Sequence, residues 1–241
     1  MARESSRCSF VLIHGAGGSH LDWPSEIRNL VGYDIYAIDL PGHGRSDFPG
    51  YSTIHEYAEL IRAFINNVDD ENMILVGHSM GGAIVQTIGL NPPKKVKGLV
   101  LIASGSKLRV APEILDGVLP EFEKTVKTIT NLAWSENASF ELKELGRKMM
   151  LKNEPLSMHG DFLACNDFNL MDRLEEIQLS TLIISGTEDR LTPSKYSQFM
   201  ADTMPNSHLV MINGAGHMVM LEEPNTVSSF INDFAEDLFP S

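Results

Sequence analysis

Basic residues are scarce in this sequence. Nineteen lysines and arginines stand against 32 aspartates and glutamates in 241 residues, a formal charge of −13. A phosphate backbone needs a positive footprint, so this balance excludes nucleic acid as the expected partner. It also disfavours an anionic membrane surface. Cysteine is scarcer still, with Cys8 and Cys165 the whole supply. Two thiols make no disulfide framework, and no CxxC or Cys/His spacing suited to a metal occurs. Long apolar runs are missing too: no window approaches the roughly 18–20 residues of a membrane span. The polar start, Met1 to Cys8, has no stretch resembling a signal peptide. The expected setting is the reduced cytoplasm.

What is present suits a folded enzyme-sized domain. Hydrophobic residues make up 43% and charged residues 21%, which argues against wholesale disorder. At roughly 150 residues per domain, the length fits one large domain or one domain carrying an insertion. Six short apolar runs recur: Phe10–Ile13, Asp34–Asp39, Met73–Val76, Val96–Ala103, Thr181–Ile184 and His208–Ile212. Unbroken β-branched runs of this length predict strands buried on both faces, as in a parallel sheet. Helical patterns separate them. Ile54, Tyr57, Ala58, Ile61, Phe64, Ile65 and Val68 form one apolar face, with Thr53 as N-cap and Glu56 at the capping-box position. Gly81–Leu90 reads as a small-residue helix and Asn225–Phe239 as a closing amphipathic one. The sum is an α/β fold, a mostly parallel open sheet of about six strands.

One stretch breaks the alternation. Residues 105–172 contain no clear strand but three helical patterns, Ile114–Trp134, Phe140–Leu151 and Leu156–Phe168, punctuated by Pro112, Pro120 and Pro155. We expect a core of residues 1–104 and 173–241 with a helical cap, or lid, at 105–172, because ligands of such sheets bind beyond the carboxyl ends of the strands.

The strongest local signal for chemistry is Gly77-His78-Ser79-Met80-Gly81, between an apolar strand and a small-residue helix. This is the context of the G-x-S-x-G elbow, which exposes a serine on a sharp, strained turn. A hydroxyl needs a base within reach to act as a nucleophile. His217, in the glycine-rich loop Asn213-Gly-Ala-Gly-His217 after the sixth run, is the candidate. Asp189, in Gly186-Thr-Glu-Asp189-Arg190 after the fifth run, is the candidate orienter of that imidazole, with Glu188 its rival. An acyl-transfer intermediate also needs two donors for its oxyanion. The Met80 amide is one candidate. The Ala16 amide, in His14-Gly15-Ala16-Gly17-Gly18, is the other. Phosphate cradling by that loop lacks the GxGxxG and GKS/T patterns.

The remaining histidines read differently. Asp39-Leu-Pro-Gly-His43-Gly-Arg-Ser46 is expected to turn the chain beneath the site, and His14 to shape the oxyanion loop by hydrogen bonding. His20, His55, His159 and His208 lack partners at metal spacing and read as surface or core side chains, with His159 the one placed to touch a ligand. Met149, Met150, Met158 and Met171, with Phe122, Trp134, Phe140, Phe162 and Phe168, either line an apolar lid or pack its helices; a methionine lining gives a forgiving pocket. Gly15, Trp134, Met158 and Met218 are candidate substrate contacts.

Together HGAGG, DLPGHGRS, GHSMGG, GTEDRLTP and GAGH stand in the order of the α/β-hydrolase superfamily, and the sequence resembles it over nearly its whole length. The resemblance implies Ser79 as nucleophile, Asp189 as orienter, His217 as base, and a helical cap. Serine rather than aspartate at 79 disfavours the dehalogenase and epoxide hydrolase branches. The two leading antiparallel strands common in the family are not evident. The expected activity is that of a serine carboxylesterase acting on a small to medium ester, with neither cofactor nor metal. The alternatives are a lyase or carbon–carbon bond hydrolase resembling the menaquinone-pathway synthase, which would want arginines such as Arg109, Arg147 and Arg173 around the serine, and a ligand-binding receptor with little turnover.

Overall fold

A computed structural model of the chain describes residues 7–47 and 49–240. Six strands form one parallel sheet: β1 (Ser9–Ile13), β2 (Asp34–Ile38), β3 (Met73–His78), β4 (Val96–Ile102), β5 (Ser180–Gly186) and β6 (Ser207–Ile212). Their order is β2-β1-β3-β4-β5-β6. The chain steps outward from β1 to β2 and then crosses back over β1 to β3. The switch point therefore lies between β1 and β3, where the loops after both strands face each other. The four inner strands are buried on both faces, as their unbroken apolar runs predict. The edge strands β2 and β6 are only half-buried, because each pairs on one side alone.

The helices are α1 (Ser25–Arg28), α2 (Ile54–Asn67), α3 (Met80–Gly89), α4 (Pro112–Leu115), α5 (Phe122–Ala133), α6 (Phe140–Met150), α7 (Pro155–Asp167), α8 (Ser194–Thr203), α9 (Val219–Glu222) and α10 (Pro224–Leu238). Alternation along β1 shows how they cover the sheet. Val11 and Ile13 pack with Ile54, Ile61, Ile84 and Met200 of α2, α3 and α8. Phe10 and Leu12 pack with Ile27, Val219 and Ile231 of α1, α9 and α10 on the opposite face. Cys165 belongs to the first cluster and Cys8 to the second, so the sheet separates these two free, buried thiols. The Thr53 cap forms as expected: its hydroxyl accepts from the Glu56 amide at 3.2 Å and donates to the Glu56 carboxylate at 2.6 Å.

Between β4 and β5 the chain runs through α4 to α7. Two hydrogen-bonded contacts close the neck of this insertion: an antiparallel bridge between Lys107 and Asn169, and the Leu170 amide on the Ser106 carbonyl at 2.7 Å. Its own core gathers Ile114, Val118, Val126, Ile129 and Met158. The helix expected over Ile114–Trp134 is two helices. The first stops at Leu115, and Pro120, which lacks an amide hydrogen and restricts Leu119, keeps the ladder from resuming before Phe122. Helix α8 was not anticipated; its sequence SKYSQFMADT shows little apolar periodicity. Among the described residues, no helix is long and apolar enough to cross a membrane.

Candidate active site

The loops after β1, β3, β5 and β6 all open at the carboxyl edge of the sheet, as parallel pairing requires. Ser79 sits between β3 and α3 with φ 52° and ψ −113°, a conformation that side chains rarely adopt. The flanking glycines explain how the turn is made. A Cβ on Gly77 would lie 2.3 Å from the Gly81 carbonyl oxygen, and one on Gly81 would lie 2.1 Å from the Ile13 carbonyl oxygen. Strand, turn and helix approach too closely for any side chain. The Ser79 amide is held by the Ile102 carbonyl at 2.9 Å, and its carbonyl accepts from the Ser104 hydroxyl at 2.8 Å. Its own hydroxyl engages no group among the described residues.

Asp189 and His217 meet. The imidazole Nδ1 lies 2.9 Å from Asp189 Oδ2. Since a carboxylate accepts, Nδ1 carries the proton and Nε2 keeps the lone pair a base requires. The Asp189 carboxylate also accepts from the Leu191 amide (2.9 Å), the Thr192 amide (2.8 Å) and the Thr192 hydroxyl (2.7 Å). Burial raises the Asp189 pKa, but the His217 charge and these donors outweigh it and hold the carboxyl below its ordinary range. Glu188, the rival acid, points elsewhere and accepts from the Glu136 amide at 3.2 Å. The sequence reading missed Thr192; an Asp three residues before a Thr is the local signal of a carboxylate capping its own turn.

His78 packs behind the pair, its ring centroid 4.8 Å from that of His217. Its Nε2 donates to the His217 carbonyl at 3.1 Å, so the neighbour of the serine fixes the backbone of the base. Burial lowers its pKa to about 3 and keeps it neutral. No hydrogen bond joins the Ser79 hydroxyl to His217 among the described residues, although both border one cavity. Such contacts are commonly long before substrate arrives.

Of the oxyanion candidates, Met80 opens α3, so its amide has no acceptor within the helix. In the β1 loop the Gly18 amide donates to Gly15 at 3.1 Å and the Gly17 amide to Asp161 at 2.9 Å, whereas the Ala16 amide donates to no group among the described residues. His14 shapes this loop as expected: it accepts the Leu40 amide on Nε2 (3.1 Å) and donates from Nδ1 to the Gly15 carbonyl (2.8 Å). His43 is buried beneath it, 5.1 Å from the His14 ring.

The cavity holds about 750 Å³, in the range of small-molecule sites. Gly15, Ser79, Trp134, His217 and Met218 border it, as do Met149, Met150 and Phe162 from the insertion. Met158 does not. It is fully buried behind Gly17, where a Cβ would come within 2.8 Å of its sulfur, because its face of α7 turns toward the β1 loop. Phe140 points to solvent, Phe168 joins the main core and Phe122 packs inside the insertion. His159 does not border the cavity. Of the three arginines noted, only Arg109 borders it; Arg147 and Arg173 pair with Glu144 and Glu176 on the surface. Among the described residues, no three His, Cys, Asp or Glu side chains group as a metal site would need.

Comparison with known proteins agrees with this fold. The model of the alpha/beta hydrolase fold family matches residues 9–224, and the chain belongs to that family. A solved structure of a thermophilic esterase is 35% identical with a TM-score of 0.85, over 98% of this chain and 91% of that one. The pimeloyl-[acyl-carrier protein] methyl ester esterase of Yersinia enterocolitica is 26% identical over 245 residues, spanning 95% of this chain and 93% of its own. Protein ABHD8 of Homo sapiens is 27% identical over 243 residues; the match covers 92% of this chain but only 54% of that longer protein.

Proposed function

We propose that this protein is a serine carboxylesterase. The observation that carries the reading is the Asp189–His217 pair, which leaves the Nε2 lone pair free at a cavity that Ser79 also borders. The Ser79 oxygen attacks the ester carbonyl while its proton passes to His217 Nε2. The carbonyl electrons move onto the oxygen held by the Ala16 and Met80 amides. Collapse of this intermediate breaks the bond to the alcohol, which takes the proton from His217, and water activated by the same ring releases the acid. Helices α4 to α7 act as the cap. Its apolar lining favours an uncharged acyl or alcohol group of small to medium length. The named esterase relatives support ester chemistry; Arg45, Arg109, Lys152 and Arg190 also border the cavity, with the Arg190 guanidinium donating to the Asn131 and Trp134 carbonyls.

The test is turnover of p-nitrophenyl esters from acetate to decanoate by the wild type and by Ser79→Ala. We expect the substitution to lower kcat by at least about 10³-fold. Equal rates would remove Ser79 from the chemistry. A rate that falls steadily from acetate onward would contradict the apolar chain site.

A further inference from the structure

The loop that carries Ala16 is held in part by the insertion, which fixes two of its peptide planes. A trans peptide is planar, so its carbonyl and amide point in opposite directions, and pinning one aims the other. Three successive peptide planes are pinned here. The Gly15 carbonyl, which shares a plane with the Ala16 amide, accepts from His14 Nδ1 at 2.8 Å and from the Gly18 amide at 3.1 Å. The next plane is fixed through the Gly17 amide, which donates to Asp161 Oδ2 of α7 at 2.9 Å. The third is fixed through the Gly17 carbonyl, which accepts from the side chain of Asn153, between α6 and α7, at 2.7 Å. That third plane also aims the Gly18 amide back at Gly15. Gly17 itself has φ +63°, with Met158 of α7 packed against it.

Asp161 is fully buried and held from both sides. Its Oδ1 accepts from the Tyr57 hydroxyl of α2 at 2.6 Å, and its Oδ2 lies 2.8 Å from Nε2 of His43. The other ring nitrogen of His43 lies 2.9 Å from the Pro41 carbonyl. The insertion is thus tied to the core at the loop that carries the Ala16 donor, among other places.

We propose that Asp161 and Asn153 are positioning residues for that donor, so that the oxyanion hole is complete only while α7 is seated on the core. The inference rests on the esterase reading and on Ala16 as donor. Asp161 lies outside the cavity and Asn153 at its border; each acts on the donor through Gly17. Displacement of the insertion frees the second and third planes together and with them the Gly18 amide, one of the two donors that hold the plane of the Ala16 amide.

The experiment uses the full chain as wild type, Asn153→Ala, Asp161→Asn and Ser79→Ala. It measures kcat and KM for p-nitrophenyl butyrate, Ki for butylboronic acid and Tm. The boronic acid becomes a tetrahedral anion on the serine and so reports the oxyanion hole directly. We expect Asn153→Ala to lower kcat by about tenfold or more, since loss of a whole donor costs about 10²–10³-fold. KM should stay within about threefold, and Ki should rise in parallel with the loss of kcat. An unchanged kcat, or a rise in KM alone, overturns the inference while the esterase reading stands. Equal rates in Ser79→Ala and wild type overturn both. Asn153 is half-buried whereas Asp161 is fully buried, so this variant decides the matter even where Asp161→Asn fails to fold.

Discussion

At Asp189 a single carboxylate accepts four hydrogen bonds, two from amides of its own turn, one from Thr192 and one from His217. The Thr192 hydroxyl has one proton and two acceptors in reach, Asp189 Oδ2 at 2.7 Å and the Ala103 carbonyl at 2.8 Å. It therefore ties the acid loop to the end of β4, where Ala103 itself is held at φ 46°. Thr192→Val keeps the volume and removes the bond. We expect it to lower the unfolding free energy by about 1–3 kcal/mol, the cost of a buried acceptor left short of a donor. Urea denaturation at neutral pH checks this, and a variant as stable as the wild type would show that the hydroxyl carries no structural weight.

Among the elements, β3, α3 and the turn between them depend on backbone proximity. Gly81 has no room for a methyl group against the Ile13 carbonyl, whereas Gly32, at φ +88°, has nothing within 4 Å of where its Cβ would lie. Gly81→Ala must push α3 off β1, at a cost of about 3 kcal/mol or more in overpacking. Gly32→Ala meets only left-handed strain of about 1–2 kcal/mol. Paired denaturation curves separate the two, and equal losses would refute the close-packing account of the elbow. The same reasoning explains how far the elements could be read beforehand. The inner strands were legible because burial on both faces makes them uniformly apolar. Helix α8 was not, because polar residues dominate its sequence, and the apolar spacing that continues from Ile114 past Pro120 did not show the break between Leu115 and Phe122.

Over the whole molecule, buried histidines set the response to pH. His14 and His78 have pKa values lowered by burial to about 4 and about 3. Each is depressed below the unfolded value near 6.5, so the unfolded chain binds more protons in between. Their contribution to stability is complete above about pH 6.5 and is lost as pH falls. Asp22 works in the opposite sense. Burial raises its pKa to about 6, so its contribution is complete below the ordinary carboxylate value and is lost as pH rises toward 6. In that interval it cancels one histidine. His43 is also opposite in sense: burial lowers its pKa, but the Asp161 carboxylate prevails and raises it, so its contribution is lost as pH climbs through the raised value. We expect the unfolding free energy to peak near pH 6.5. It should fall by roughly 1.4 kcal/mol per unit between pH 6 and 4.5, the net of two histidines and one opposing carboxyl. Urea titrations across that range would detect it, and a flat acid limb would mean that His14 and His78 titrate as exposed side chains do.

The sequence by itself determined the layout: six strands, the elbow at Ser79, and the order of serine, acid and imidazole along the chain. Each of these is a local matter of apolar periodicity, glycine placement or a loop's position after a strand. Only the tertiary structure decided that Met158 sits behind Gly17 instead of in the cavity, and that Asp161 and Asn153 hold the Ala16 loop. Those contacts join residues more than a hundred positions apart, such as Gly17 and Asp161, and no spacing along a chain encodes where an inserted helix will rest.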